Sequence, residues 1–184
     1  DNVLHGENFA ELLRKANEET VSGAKIFGYK VSDPERFGVV TFNEEGKAVS
    51  IVEKPKNPTS SYAVPGIYFY DHRAPELAKK ISLSDRGELE ITDLNKLYLE
   101  EGTLMVCPIP EGVMYFDTGT HDSLLEAALY IQKTQKETGE PIANLESIAH
   151  AYGFIDNNSL NASANKLSKT TYGQHLMNLV KQKL

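Results

Sequence analysis

The 184-residue sequence holds a single cysteine, Cys107, so no intrachain disulfide can form. A reducing, cytoplasmic setting is expected on that ground. Cys107 falls within an expected strand, where a lone thiol packs as a small buried hydrophobe. No apolar run approaches the roughly 18–20 residues that span a bilayer, and no signal peptide is visible, so no membrane partner is expected. No Cys/His cluster has zinc spacing. Neither a GxSxG elbow nor a GxxxxGK(S/T) loop occurs, so these residues cannot by themselves be a P-loop enzyme. The histidines His5, His72, His121, His150 and His175 never stand in HxxxH spacing and read as surface or structural groups. A basic surplus is missing too: 19 Lys and Arg against 26 Asp and Glu leave a net charge of −7. Such a surface argues against nucleic acid. An anionic ligand would need local lysines, backbone amides or a metal, because the global field opposes it.

What is present suits one soluble globular domain, 40% hydrophobic and 24% charged. Asp1 to Gly6 leads into a helix, with Asn8 and Glu11 as a capping box and Phe9, Leu12, Leu13 and Ala16 in helical period. Ala24 to Val31 reads as a strand apolar on both faces, as in the buried middle of a sheet. After a turn at Asp33–Arg36, Gly38 to Phe42 and Ala48 to Glu53 form a β-hairpin. Tyr62 to Tyr70 is a strand interrupted at Pro65-Gly66, the mark of an edge, a bulge or a close ligand. Helices are expected over Ala74–Ile81 and Thr92–Glu101, the second closed by Gly102. Strands follow over Leu104–Ile109 and Val113–Phe116, then a helix opening at Ser123, with Glu126 as its capping partner, and ending at Gly139. Beyond it lie a short helix over Asn144–Tyr152, an exposed turn region over Gly153–Ser163 and a basic terminal helix from Thr171. The chain is expected to divide into an α/β part over residues 1–139, which carries the candidate site, and a helical extension over 140–184.

The stretch Tyr115 to Asp122 organises the candidate chemistry. Asp117 is a carboxylate at a strand end just ahead of a helix, where open α/β sheets place ligands. It could bind Mg²⁺, which uses one or two carboxylates plus substrate phosphates. The same residues also suit a plain strand-to-helix turn. Asp1 is a second carboxylate of this kind, and two converging on one ion could support phosphoryl or nucleotidyl transfer. Glu53-Lys54 pairs an acid for a sugar hydroxyl with an ammonium for a phosphate, although strand alternation puts them on opposite faces unless the strand end twists. The alternative is a solvated ion pair. Gly38 would let a backbone N–H approach a ligand, and the segment Tyr62–Tyr68, with Val64 and Tyr68, offers aromatic surface and exposed backbone to a sugar ring.

Six motifs occur in one order: Asp1-Asn2, Phe37-Gly38-Val39-Val40, Glu53-Lys54-Pro55, Tyr62 to Asp71, Arg86 to Asp93, and Asp117 to Ala127. Together they resemble the glucose-1-phosphate thymidylyltransferase family of sugar nucleotidyltransferases across essentially the whole chain. The resemblance implies a Rossmann-like α/β sandwich with a mixed sheet, present in part, plus a C-terminal helical extension. It implies transfer of thymidylyl from dTTP to α-D-glucose 1-phosphate with Mg²⁺, giving dTDP-glucose and pyrophosphate. Asp1 and Asp117 match the family's magnesium aspartates, Lys54 its catalytic cation, and Asn2, Gly38, Glu53, Lys54 and Val64 its sugar-phosphate contacts, with Tyr68 flanking them. The region of His5, Gly6 and Phe9 resembles a regulatory nucleotide site found in some members, with His5 standing where the family often has an aromatic residue. A homotetramer is implied as well. Tyr115-Phe116 stands where the family commonly has Trp-Leu. The family's Gly-x-Gly-Thr-Arg-Leu loop, which holds the triphosphate and base, has no counterpart here, so these residues alone are expected to be inactive. A uridylyl- or cytidylyltransferase, a non-catalytic sugar-phosphate-binding subunit and a ligand-free α/β domain are the alternatives.

Overall fold

The structure is a computed structural model that describes residues 2–182. The chain runs through strand β1 (Asn2–His5), helix α1 (Phe9–Glu19), strand β2 (Ala24–Lys30) and a 3-10 turn at Pro34–Arg36. Strands β3 (Gly38–Phe42), β4 (Ala48–Glu53), β5 (Tyr62–Ala63) and β6 (Tyr68–Tyr70) follow. Helices α2 (Ala74–Ala78) and α3 (Ile91–Glu100) precede β7 (Leu104–Pro108) and β8 (Met114–Asp117), and then come α4 (His121–Thr138), α5 (Leu145–Ala151), α6 (Asn157–Lys166) and α7 (Thr171–Gln182). The fold is α/β. It divides into two compact units, Asp1–Leu124 and Leu125–Leu184.

In the first unit β2 is the central strand, buried continuously from Ala24 to Gly28. A strand covered on both faces needs no polar alternation, and β2 is apolar over this run except at Lys25, whose buried ammonium pairs with Glu19 at 2.5 Å. The sheet is mixed: β7 runs parallel to β2, while β5 and β6 run antiparallel to it, and β3 and β4 extend the β5 side. Tyr29 faces Ala63 but Ile26 faces Tyr68, so three steps along β2 match five along its neighbour. The extra residues bulge out around Pro65-Gly66, where proline has no N–H for the ladder. Helices α2 and α3 cover the sheet through Leu77, Leu94 and the fully buried Tyr98, packed with Ala24.

One buried polar cluster ties this core to its loops. Asp71 accepts hydrogen bonds from the Gly23 N–H at 2.7 Å, the Arg73 N–H at 3.0 Å, Arg73 Nε at 2.9 Å and the Tyr98 hydroxyl at 2.9 Å. Burial favours its neutral form, but these donors outweigh burial and hold the carboxyl well below the usual range. Burial, together with the bond to Asp71, pushes the Tyr98 hydroxyl up to about 12.

Several expectations are corrected. Residues 2–5 do not lead straight into a helix: they form β1, paired antiparallel with β8. A four-residue strand exists only through its partner, which neighbouring residues cannot announce. Asn8 sits in the left-handed region at φ 60° with no side-chain cap, and Glu11 instead binds Arg14. The α4 cap is Thr120 rather than Ser123: Ser123 Oγ accepts from the Thr120 N–H and Thr120 Oγ1 from the Ser123 N–H, each at 3.2 Å. Cys107 is only half-buried. In the second unit, the expected turn region over Gly153–Ser163 contains most of α6. Its asparagines and serines have low helix propensity. Asp156 nevertheless caps it, accepting from the Ser159 N–H at 2.8 Å, and Leu160 and Ala164 are buried with Leu176 of α7. Packing overrides propensity there. No helix among the described residues is long and apolar enough to cross a membrane.

Candidate active site

Asn2, Gly38, Glu53, Lys54, Val64, Tyr68 and Asp117 all line one cleft of about 560 Å³ in the first unit. Asp1 lies outside the described residues. His5, Gly6 and Phe9 stand apart from the cleft, where β1 gives way to α1. Gly6 has a packing reason of its own: a Cβ there would fall 2.6 Å from the Gly112 carbonyl oxygen.

The floor of the cleft comes from β3 and β4, where Gly38 pairs with Glu53. The Lys54 N–H donates to the Phe37 carbonyl at 2.9 Å, and Lys54 itself sits at φ 40°. That left-handed residue breaks the strand alternation directly after Glu53. It explains how two consecutive side chains can line one cleft, which regular pleating would forbid. Glu53 is fixed from behind: its Oε2 accepts from Thr92 Oγ1 at 2.5 Å, and Arg86 Nη1 stands 3.8 Å from its Oε1. Gly38 gives these groups room, since a Cβ would lie 3.1 Å from Thr92 Oγ1 and 3.2 Å from Glu53 Oε2 and make them shift by a few tenths of an ångström.

The opposite wall is the two-stranded ribbon of β1 and β8, in which Asn2 faces Asp117. Asp117 does end a strand as expected, but that strand belongs to this ribbon and not to the large sheet. Tyr115 donates to Asn2 Oδ1 at 2.6 Å, with its ring against Tyr29 and Phe37. Burial raises the Tyr115 hydroxyl well above its ordinary pKa, reinforced by the charge of Asp117. Tyr68 shows the same direction from burial and from Glu53. Gly66 completes the wall, because a Cβ there would come within 2.8 Å of Asn2 Nδ2.

Two residues of the cleft are given no role from the sequence, although Thr92 lies within the Arg86–Asp93 motif. Thr92 opens α3 and matters only because that helix packs beside β4. Arg36 reads as part of a turn, yet its Nη2 donates to Asp117 Oδ2 at 2.6 Å while Nη1 reaches Asp33 Oδ2 at 2.8 Å. Only a contact across 81 positions reveals that role.

The Asp117 carboxylate, in a cleft with room for a phosphorylated ligand, fits a hard cation that completes its shell with water and phosphate oxygens. No group of three or more His, Cys, Asp or Glu able to hold a metal occurs among the described residues. The arrangement is therefore a polar cleft with one acid for hydroxyls, one lysine for an anion and one carboxylate for a cation. It is the kind of site that aligns substrates and neutralises charge without a covalent nucleophile.

Comparison with known proteins gives this geometry a family. The nucleotidyl transferase family model matches residues 1–134, and the chain belongs to that family. Among individual proteins, it is 48% identical over 182 residues to a glucose-1-phosphate thymidylyltransferase of Neisseria meningitidis, covering 99% of this chain and 63% of that protein. It is 40% identical to a protein of the same name from Mycobacterium tuberculosis, covering 99% of this chain and 62% of that one. The chain thus spans less than two-thirds of these relatives' lengths. A solved Bacillus anthracis structure, described as a glucose-1-phosphate thymidylyltransferase in complex with a sucrose, superposes with a TM-score of 0.58 at 42% identity, covering 70% of this chain and 51% of that one. A UDP-glucose pyrophosphorylase bound to UDP-glucose gives a TM-score of 0.62 at 18% identity, covering 72% of this chain and 54% of that one, a likeness of fold alone. The expected Rossmann-like α/β architecture with a mixed sheet is the one these neighbours share.

Proposed function

We propose that this chain forms the sugar-phosphate side of a glucose-1-phosphate thymidylyltransferase, which transfers thymidylyl from dTTP to α-D-glucose 1-phosphate and releases pyrophosphate. The observation that carries this reading is the gathering of Gly38, Glu53, Lys54, Val64, Tyr68, Asn2 and Asp117 around one cleft. Glu53, held by Thr92, accepts hydrogen bonds from sugar hydroxyls, and the Gly38 backbone and Tyr68 line the ring's place. Lys54 faces the sugar phosphate and offsets charge as its oxygen attacks the α-phosphorus and the bond to pyrophosphate breaks. Asp117, with Asp1, would hold Mg²⁺, whose charge counters that of the phosphates. The nucleotidyltransferase part is assigned to residues 1–139 and the helical extension to 140–184. A homotetramer in the cytoplasm, and a regulatory nucleotide site involving His5, Gly6 and Phe9, belong to the same reading.

Pyrophosphate release by the full-length protein with glucose 1-phosphate and dTTP, UTP or CTP tests it. The expected result is a clear preference for dTTP; equal or greater turnover with UTP or CTP would reassign the base. Gly38→Ala gives a second, local check. Its Cβ displaces the Glu53–Thr92 pair by a few tenths of an ångström, so KM for glucose 1-phosphate should rise about tenfold while KM for dTTP stays put.

A further inference from the structure

The Arg36 guanidinium lies against the carboxylate that the proposed function assigns to the metal. Its Nη2 is 2.6 Å from Asp117 Oδ2, and both side chains line the cleft. Arg36 is held in that pose by two further contacts: Nη1 with Asp33 at 2.8 Å, and its guanidinium carbon 5.3 Å from the Phe37 ring centre. A guanidinium and a divalent cation on one carboxylate compete for its lone pairs and repel one another.

We infer that Arg36 is a resident counter-cation, which a divalent metal must displace from Asp117 before it can bind. This rests on the reading of Asp117 as a metal carboxylate. The exchange has a use in a reaction between two anionic substrates. With the cleft empty, Arg36 keeps Asp117 neutralised and oriented and makes metal capture weak. When a phosphate-bearing substrate arrives with its metal, the released guanidinium meets phosphate oxygens, to which its planar fork is suited. Metal and phosphate then favour each other's binding, because the phosphate takes up the arginine that the metal expels. The contact geometry supports exchange rather than a fixed structural pair: the side chains remain 41% and 24% exposed, so breaking the pair leaves neither charge stranded.

Mn²⁺ affinity of the full-length protein, measured by electron paramagnetic resonance without substrates, tests the inference directly. Arg36→Gln should bind Mn²⁺ about tenfold more tightly than the wild type, since it removes a competing charge a few ångströms from the ion. Arg36→Lys, which keeps the charge but loses the fork, should fall between them. Adding inorganic phosphate should tighten Mn²⁺ binding to the wild type and much less to Arg36→Gln. Unchanged or weaker Mn²⁺ binding by Arg36→Gln, with the fold intact by near-ultraviolet circular dichroism, would overturn the inference. Asp117→Asn separates the two layers: if it binds Mn²⁺ as the wild type does, the metal assignment of Asp117 itself is wrong.

Discussion

Replacing Lys54 by glycine is expected to cost the enzyme nearly all its turnover and none of its stability. Lys54 holds φ 40°, a left-handed backbone that costs an L-residue roughly 1–2 kcal/mol and glycine almost nothing. Glycine's extra unfolded-state entropy offsets about 0.5–1 kcal/mol of that gain, so the net change should lie between zero and about 1.5 kcal/mol of stabilisation. Turnover should move the other way. An ammonium aimed at charge that develops in the transition state is worth about 10²–10³ in kcat, by analogy with other preorganised donors. Lys54→Met completes the comparison, keeping the strained backbone and losing the amine. If kcat of the glycine and methionine variants falls alike while only glycine raises the melting temperature, the strain exists to place the amine. Wild-type kcat in both variants would remove Lys54 from the chemistry.

Asp71→Asn is the second large effect, and it concerns folding. All four groups around the Asp71 carboxylate are donors, and its side chain is 1% exposed. An amide turns one acceptor into a donor facing other donors. The expected loss is about 3 kcal/mol at neutral pH, or a drop in melting temperature of about 10 °C for a chain of this size. The pH dependence has a definite sign. The folded carboxyl is held below its ordinary value, so its stabilisation is fully present above the unfolded pKa of about 3.9 and is lost as pH falls through the lower folded value. The gap between wild type and Asp71→Asn should hold steady from pH 8 to 5 and narrow below about pH 4, as followed by urea denaturation. A gap that widened in acid would show that the Asp71 carboxyl is not depressed.

Much of this was legible in the sequence, for reasons that sort by range. Gly38–Phe42 and Ala48–Glu53 announce their hairpin because turn and partner strands lie side by side. β2 announces its burial because five adjacent residues share one environment. The broken strand at Pro65-Gly66 was legible because proline's missing donor is a local fact. Helix α6 was not, because Leu160 and Ala164 are worth burying only once Leu176 is there to meet them. The strand β1, the Arg36–Asp117 contact and the Thr92 hydroxyl behind Glu53 were hidden for the same reason. Each depends on a partner distant in sequence. Seven residues of the cleft, Asn2, Gly38, Glu53, Lys54, Val64, Tyr68 and Asp117, could be named in advance by resemblance, but the backbone twist that turns both Glu53 and Lys54 into it appears only in the dihedral angles.

The ribbon of β1 and β8 has a consequence for the order in which the molecule becomes competent. Its strands, paired from Asn2–Asp117 to His5–Met114, are joined as well by the Tyr115–Asn2 bond, which spans 113 positions. Closing long loops delays a contact relative to local hairpins and helices, and a two-stranded ribbon is marginal by itself. The large sheet and its helices can therefore settle while Asp117 is still unplaced. Under the metal role proposed for Asp117, the carboxylate then acts as a checkpoint: its geometry exists only once β1 has paired with β8, so competence for metal follows the folding of the large sheet.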